Sequence, residues 1–216
     1  MNRLHRRRAV LLGLAAAPGV LGLAASAHAQ SVAARGARSP EAEKFVETQV
    51  LRVLTTLSDR RLTAVQRDAA FRRIIDEIAD IPRITTFVLG KYGRTITPAQ
   101  RAQFTAAFRA YAENVYQVRI AEFRGVSVRA TGSVARRADD VVVSSLIQSA
   151  GGGAPTAASW RVLSSGGRWK IVDVQISGVW LAITQQQDFV STIDNAGGDI
   201  NVLIAQLQRG VGPKPR

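Results

Sequence analysis

"WKIVDVQISGVWLAITQQQDF", residues 169–189, carries two periodicities in one run. Val172, Val174 and Ile176 alternate with Ile171, Asp173 and Gln175, the period of a strand with one face buried. Gly178 interrupts the alternation, and a helical pattern follows from about Val179 to Asp194. The stretch therefore joins a sheet to a helix that must pack close to it. Most strands of this kind fill a solid core. Asp173 has no histidine and no obvious carboxylate partner in its motif, so it is expected to fix the strand or a neighbouring turn by hydrogen bonding rather than to act as an acid.

Upstream, the period of two appears three more times. "VSVRATGSVA" (126–135), "DVVVSSLIQS" (140–149) and "AASWRVLSS" (157–165) precede "RWKIVDVQIS" (168–177). The connections at Ala138-Asp139, Gly151-Gly152-Gly153 and Gly166-Gly167 are short. Parallel strands need long crossovers, so four antiparallel strands are predicted.

Before residue 125 the pattern is helical. Ser39-Pro40-Glu41 supplies a cap, a first-position proline and an acid in the first turn. Val46, Val50, Val53 and Leu57 share a face, and a turn at Ser58-Asp59 ends that helix. Thr63 and Gln66 form a capping-box signature for a second helix faced by Phe71, Ile74, Ile75 and Ile78. Asp80-Ile81-Pro82 restarts the chain into a short helix ending near Gly90 or Gly93. Thr97 and Gln100 cap a long one by the same device, with Phe104, Phe108, Tyr111, Val115 and Val118 as one apolar stripe. A last helix starts at Asp199 after Gly197-Gly198. The predicted class is α+β, with helices packed on one face of a four-stranded antiparallel sheet.

Residues 1–29 are expected to be a cleaved export signal. Arg3, Arg6, Arg7 and Arg8 precede an Ala- and Leu-rich run that closes on Ala27-His28-Ala29, the small-x-small pattern before Gln30. The adjacent arginines suit a Sec or a twin-arginine route. The domain is expected at 39–209, with flexible segments at 30–38 and 210–216. His5 and His28 are the only histidines, and cysteine is absent. A chain cleaved there has no Ser-His-Asp or Cys-His site and lacks the usual nitrogen and sulfur ligands of zinc and copper. No catalytic residue and no metal site is expected. The net charge of +13 includes four leader arginines, and the remaining excess suits anionic lipid surfaces or acidic partners. Export argues against nucleic acid.

Three stretches together resemble one family. They are "FVLGKYGRTITPAQRAQFTAAFRAYAENVYQVRIAEF" (87–123), "WKIVDVQISGV" (169–179) and "DFVSTIDNAGGDINVLIAQL" (188–207). Their order and spacing are similar to the MlaC, or toluene-tolerance, family of periplasmic phospholipid-binding proteins, over roughly residues 40 to 209. The sequence departs from the family's pattern at Trp180 and at Gln185-Gln186.

The resemblance implies an apolar cavity between sheet and helices, with bound phospholipid as cargo and no cofactor. It also implies two partners: an inner-membrane Mla ABC transporter with a periplasmic lipid-binding ring, and an outer-membrane lipoprotein–porin complex. Candidate walls are Phe104, Phe108, Tyr111 and Val115 on the long helix and Val172, Val174 and Ile176 on the strand. Leu89 and Tyr92 flank the expected entrance. Lys91, Arg94 and Arg101 are candidates for a headgroup phosphate or a docking partner, and equally for scattered surface charge. Trp160, Trp169 and Trp180 read as large core or rim residues. The competing readings are a hopanoid-associated or other lipid-binding relative, a basic periplasmic adaptor with a solid core, and a hydrolase on a cone-shaped α+β scaffold. The missing histidine and cysteine count against the last.

Overall fold

The computed structural model describes residues 36–120, 127–148 and 152–210, with the backbone alone for 114–120. The expected export signal, residues 30–35, the Val115 side chain and the tail beyond Gly210 lie outside the described residues.

Helix α1 (Pro40–Ser58) opens on Ser39, whose side chain accepts from the Ala42 amide. Helix α2 (Ala64–Ile78) begins with the full capping box of Thr63 and Gln66. Helix α3 (Ile81–Val88) is capped by Asp80 and runs into a 3₁₀ turn (Gly90–Arg94). The long helix α4 (Pro98–Ile120) starts on reciprocal Thr97–Gln100 hydrogen bonds. Each start satisfies amide groups that a helix leaves open at its N-terminus. The strands follow as β1 (Ser127–Arg137), β2 (Asp140–Gln148), β3 (Thr156–Ser165), β4 (Arg168–Ile176) and β5 (Val179–Trp180). Helices α5 (Leu181–Asn195) and α6 (Ile200–Gln208) close the described chain.

The sheet is an antiparallel meander in the order β1-β2-β3-β4-β5. It has five strands where four were expected. The difference is the turn at Ser177-Gly178, whose φ angles of 51° and 85° make a tight hairpin and return Val179 and Trp180 alongside Ile176 and Gln175. Those two residues were expected to begin a helix, and α5 starts one step later, at Leu181.

Each side of the meander is covered over part of its length. Ala79 bridges to Ile171 on β4, with the Asp80 amide donating to the Ile171 carbonyl. At the other edge the Gly36 amide donates to the Ala135 carbonyl, and the Ala135 amide to Ala37. Arg38 then pairs with buried Glu43, which also accepts from Ser133. Residues 36–38, placed by the sequence in a flexible segment, are tied down by these bonds. Covered edges remove the open amides through which sheets aggregate.

Side chains close into three apolar clusters. Ala42, Val46, Val50 and Leu54 of α1 cover Ala135, Val141, Val143, Ala158 and Val162 on one sheet face. Val53 joins Phe71, Ile74 and Ile78 of α2, and Phe45 and Ile171 bridge these two clusters. The third is purely helical: Val88, Leu89, Phe104, Phe108, Phe189, Ile193, Leu203 and Leu207 among others. The sheet's other face shows Val134 and Ser144 to solvent.

Candidate functional site

A domain of this size usually has one contiguous core. Here, among the described residues, the helical cluster shares no member with the two clusters at the sheet. On the sheet, one apolar strip is incompletely covered: β3 and β4 present Ala158, Trp160 and Val162 opposite Ile176, Val174 and Ile171. Ala158 and Val162 are closed, whereas Trp160 and Val174 are only partly buried and Ile176 is 39% exposed. These residues share the face that α1 covers. Trp160 packs against the α1 cluster yet stays partly exposed, so the covering layer closes over it only in part.

The pairing of β3 with β4 contains a register shift at Arg161/Val162. Arg161 pairs with Asp173 and Val162 with Ile171, so Val172 is the extra residue of a bulge. Ile171 therefore joins Val174 and Ile176 on the α1-covered face, and simple alternation of Val172 with Val174 does not hold. Val172 is buried yet belongs to none of the three clusters.

The helix-borne candidates come together in the helical cluster. Phe104 and Phe108 stack at 5.7 Å, and Phe189 meets both rings edge-on at 5.8 and 5.7 Å. Leu89 is fully buried with them, while Tyr92 and Tyr111 are half-buried at its margin. The strand candidates belong to no shared cluster with these residues. Phe189, which completes the aromatic triad, and Ile171 were absent from the sequence-based set. The α5 periodicity could have indicated Phe189, but nothing in sequence marks the bulge that turns Ile171.

Asp173 acts as a cap. Its Oδ1 accepts from the Val174 amide at 2.8 Å and from the Ala182 amide at 2.9 Å. Trp180, at the start of α5, supplies no side-chain cap of its own. Burial pushes the Asp173 carboxyl above its ordinary range, against the two amides and Arg161. On the neighbouring strand Arg161 grips Asp140 in a two-pronged pair at 3.0 and 2.9 Å. Burial opposes ionisation of Asp140, but the Arg161 guanidinium outweighs it and holds the carboxyl low.

The polar candidates have separate employments. Lys91 pairs with Asp194 at 2.7 Å, and the Tyr92 hydroxyl donates to the same carboxylate at 2.5 Å. The Lys91 ammonium and then the Tyr92 hydroxyl hold the Asp194 carboxyl low, while Asp194 pushes the Tyr92 hydroxyl up. Arg101 donates to the Gly93 carbonyl at 2.6 Å and to Thr86 Oγ1 at 3.2 Å, bracing the corner before α4. Arg94 is exposed. An open groove of about 770 Å³ lies along α4, lined by Ile96, Pro98, Ala102, Thr105 and Ala106 between Arg101 and Arg109. By helical spacing it faces away from the Phe104/Phe108 stripe. Among the described residues no group of acids or histidines is placed to hold a metal. No helix among them is long and apolar enough to cross a membrane.

The sequence pattern of the MlaC protein family matches residues 46–209. The chain belongs to the MlaC family. Among solved structures it is similar to a phospholipid-binding protein from Ralstonia solanacearum, determined in complex with a phospholipid. That similarity is 29% identity with a TM-score of 0.70, over 78% of this chain and 95% of the other. Gln186 donates to the Phe87 carbonyl at 2.5 Å and ties α5 to α3. Trp180 forms the short fifth strand together with Val179.

Proposed function

We propose that this MlaC-family protein is a periplasmic phospholipid carrier without a catalytic step. The observation that carries the reading is the incompletely covered apolar strip of sheet at Trp160, Val174 and Ile176, beside the closed α1 core. Family membership and the phospholipid held by the Ralstonia relative support it. In this reading the acyl chains lie between that strip and the α4 side of the helical cluster. The carrier exchanges lipid with an outer-membrane lipoprotein–porin complex and an inner-membrane Mla ABC transporter, and so maintains outer-membrane lipid asymmetry.

The physics requires such a device. Each methylene moved from hydrocarbon to water costs about 0.8 kcal/mol. Two acyl chains hold roughly thirty, so unaided escape costs on the order of 20 kcal/mol. A carrier replaces water by apolar walls and needs no group that changes its covalent state.

The test is extraction and mass spectrometry of lipid from the gently purified protein, with uptake from phospholipid vesicles after delipidation. A bound diacyl phospholipid is expected. Protein that carries none and takes up none defeats the reading. Val174→Trp supplies a second arm: in a hollow site the indole occupies acyl-chain space, so the variant folds but carries less lipid. In a filled core the same change overpacks by about 1–3 kcal/mol.

A further inference from the structure

We infer that Trp160 is the end wall that sets how much acyl chain the site accepts, and that Ser145 holds its indole in place. The inference rests on the carrier reading above and assigns the depth limit of that site.

Trp160 sits on β3, the third of five strands, between Val143 on β2 and Val174 on β4. Val143 and Val162 beside it are completely closed by the α1 layer. The largest side chain of the group is the one left partly open. On the same face of β4, Ile171 and Val174 are partly buried and Ile176, at the far end, is 39% exposed. An apolar chain entering from the Ile176 end passes the methyl group of Ala158 and then meets Trp160 before Val162, where the α1 core is fully closed.

The indole is fixed. Its Nε1–H donates to Ser145 Oγ at 2.9 Å, and Ser145 donates onward to the Ala158 carbonyl at 3.3 Å. Ser145 is almost fully buried and is the cross-strand partner of Ala158. The ring thus leans along the sheet toward Ala158, which is closed although it carries only a methyl group. Ser145, among the apolar side chains Val141, Val143 and Ile147 of the same strand face, gives the indole a buried polar partner. The hydrogen bond lets the ring present an apolar surface with no unsatisfied donor, which a water-free site requires. Tryptophan has only two side-chain torsions, so one hydrogen bond suffices to make a firm stop.

Chain-length selection tests this. Delipidated wild type, Trp160→Ala, Trp160→Phe and Ser145→Ala proteins are each incubated with phosphatidylcholine vesicles containing equal amounts of short-, medium- and long-chain species. Bound lipid is then extracted and weighed by mass spectrometry. Each methylene that finds no room in the site is left in water instead of the bilayer it came from, which disfavours that species by about fourfold. Trp160→Ala should enrich the longest species by an order of magnitude or more over wild type, Trp160→Phe by less, and Ser145→Ala should broaden the distribution. A second readout leaves Trp160 in place: with Trp169 and Trp180 replaced by Phe, its fluorescence is quenched by lipids brominated at different depths. Quenching should be strongest from bromine near the chain's methyl end. Variants that bind lipid with the wild-type length profile, or quenching strongest from bromine near the glycerol, overturn the inference and leave the carrier reading standing. Wild type that binds no lipid at all overturns both.

Discussion

Asp173 fixes local structure by hydrogen bonding, as expected of a carboxyl with no histidine or carboxylate partner in its motif. Its carboxylate holds the start of α5 from a neighbouring strand, where Trp180 offers no oxygen of its own. Removing the acceptor in Asp173→Ala should cost about 0.5–2 kcal/mol, the usual value of a lost helix cap. Asp173→Asn keeps an oxygen for both amides and drops a half-buried charge, so at neutral pH it should match or exceed wild type. The sign follows from burial. A carboxyl raised in the folded state favours folding most below its unfolded pKa, and that contribution is lost as pH rises through the folded value. The advantage of Asn over Asp should therefore shrink as pH falls. Urea unfolding of the three proteins at several pH values measures this. An Asn variant no more stable than the Ala variant would remove the cap from the account.

At the scale of elements, Gly90 joins α3 to the 3₁₀ turn with φ of 54°, a left-handed conformation that favours glycine. A Cβ there would stand 2.8 Å from Val190 Cγ2 on α5. Valine is stiff and cannot swing away without rotamer cost. Gly90→Ala should destabilise by about 1–3 kcal/mol, read from chemical denaturation, by combining strain with overpacking. The helices were legible in sequence because their starts are local: Ser39, Thr63, Asp80, Thr97 and Asp199 each announce one. The four long strands were legible from their period. The fifth was not, because two residues are too few to show a period and Val179-Trp180 read equally well as a first helical turn. The bulge at Val172 was hidden for a related reason. It is a relation between two strands, and one strand's sequence continues to alternate through it. The site was legible only in halves. Periodicity found the α4 stripe and the β4 strand, but burial alone separates the packed aromatics Phe104 and Phe108 from the partly exposed Trp160.

Over the whole molecule, the acids lean on the excess of arginines. Arg38 first, then Ser133, holds the Glu43 carboxyl low, and Arg61 takes Asp59 down to about 2. Lowered carboxyls contribute stability above their unfolded pKa of about 4, and that contribution is lost as pH falls through the folded values. Thermal midpoints should therefore drop below about pH 4, with Asp173 opposing the trend; a midpoint that rises on acidification would contradict these pairings. Other cations have no such employment. Lys44, Arg60, Arg94, Arg129 and Arg168 are exposed and form no ion pair with a carboxylate among the described residues. Exposed charge acts on a partner through solvent, where physiological salt screens it over about 8 Å. Burial of acyl chains is not screened. The proposed carrier should thus separate its two tasks under salt: transfer of labelled lipid to membranes bearing the partner complexes should slow as salt rises, while lipid retained by the isolated protein stays constant. Transfer indifferent to salt would make the basic surface a matter of solubility alone, and docking would then have to rest on apolar contact.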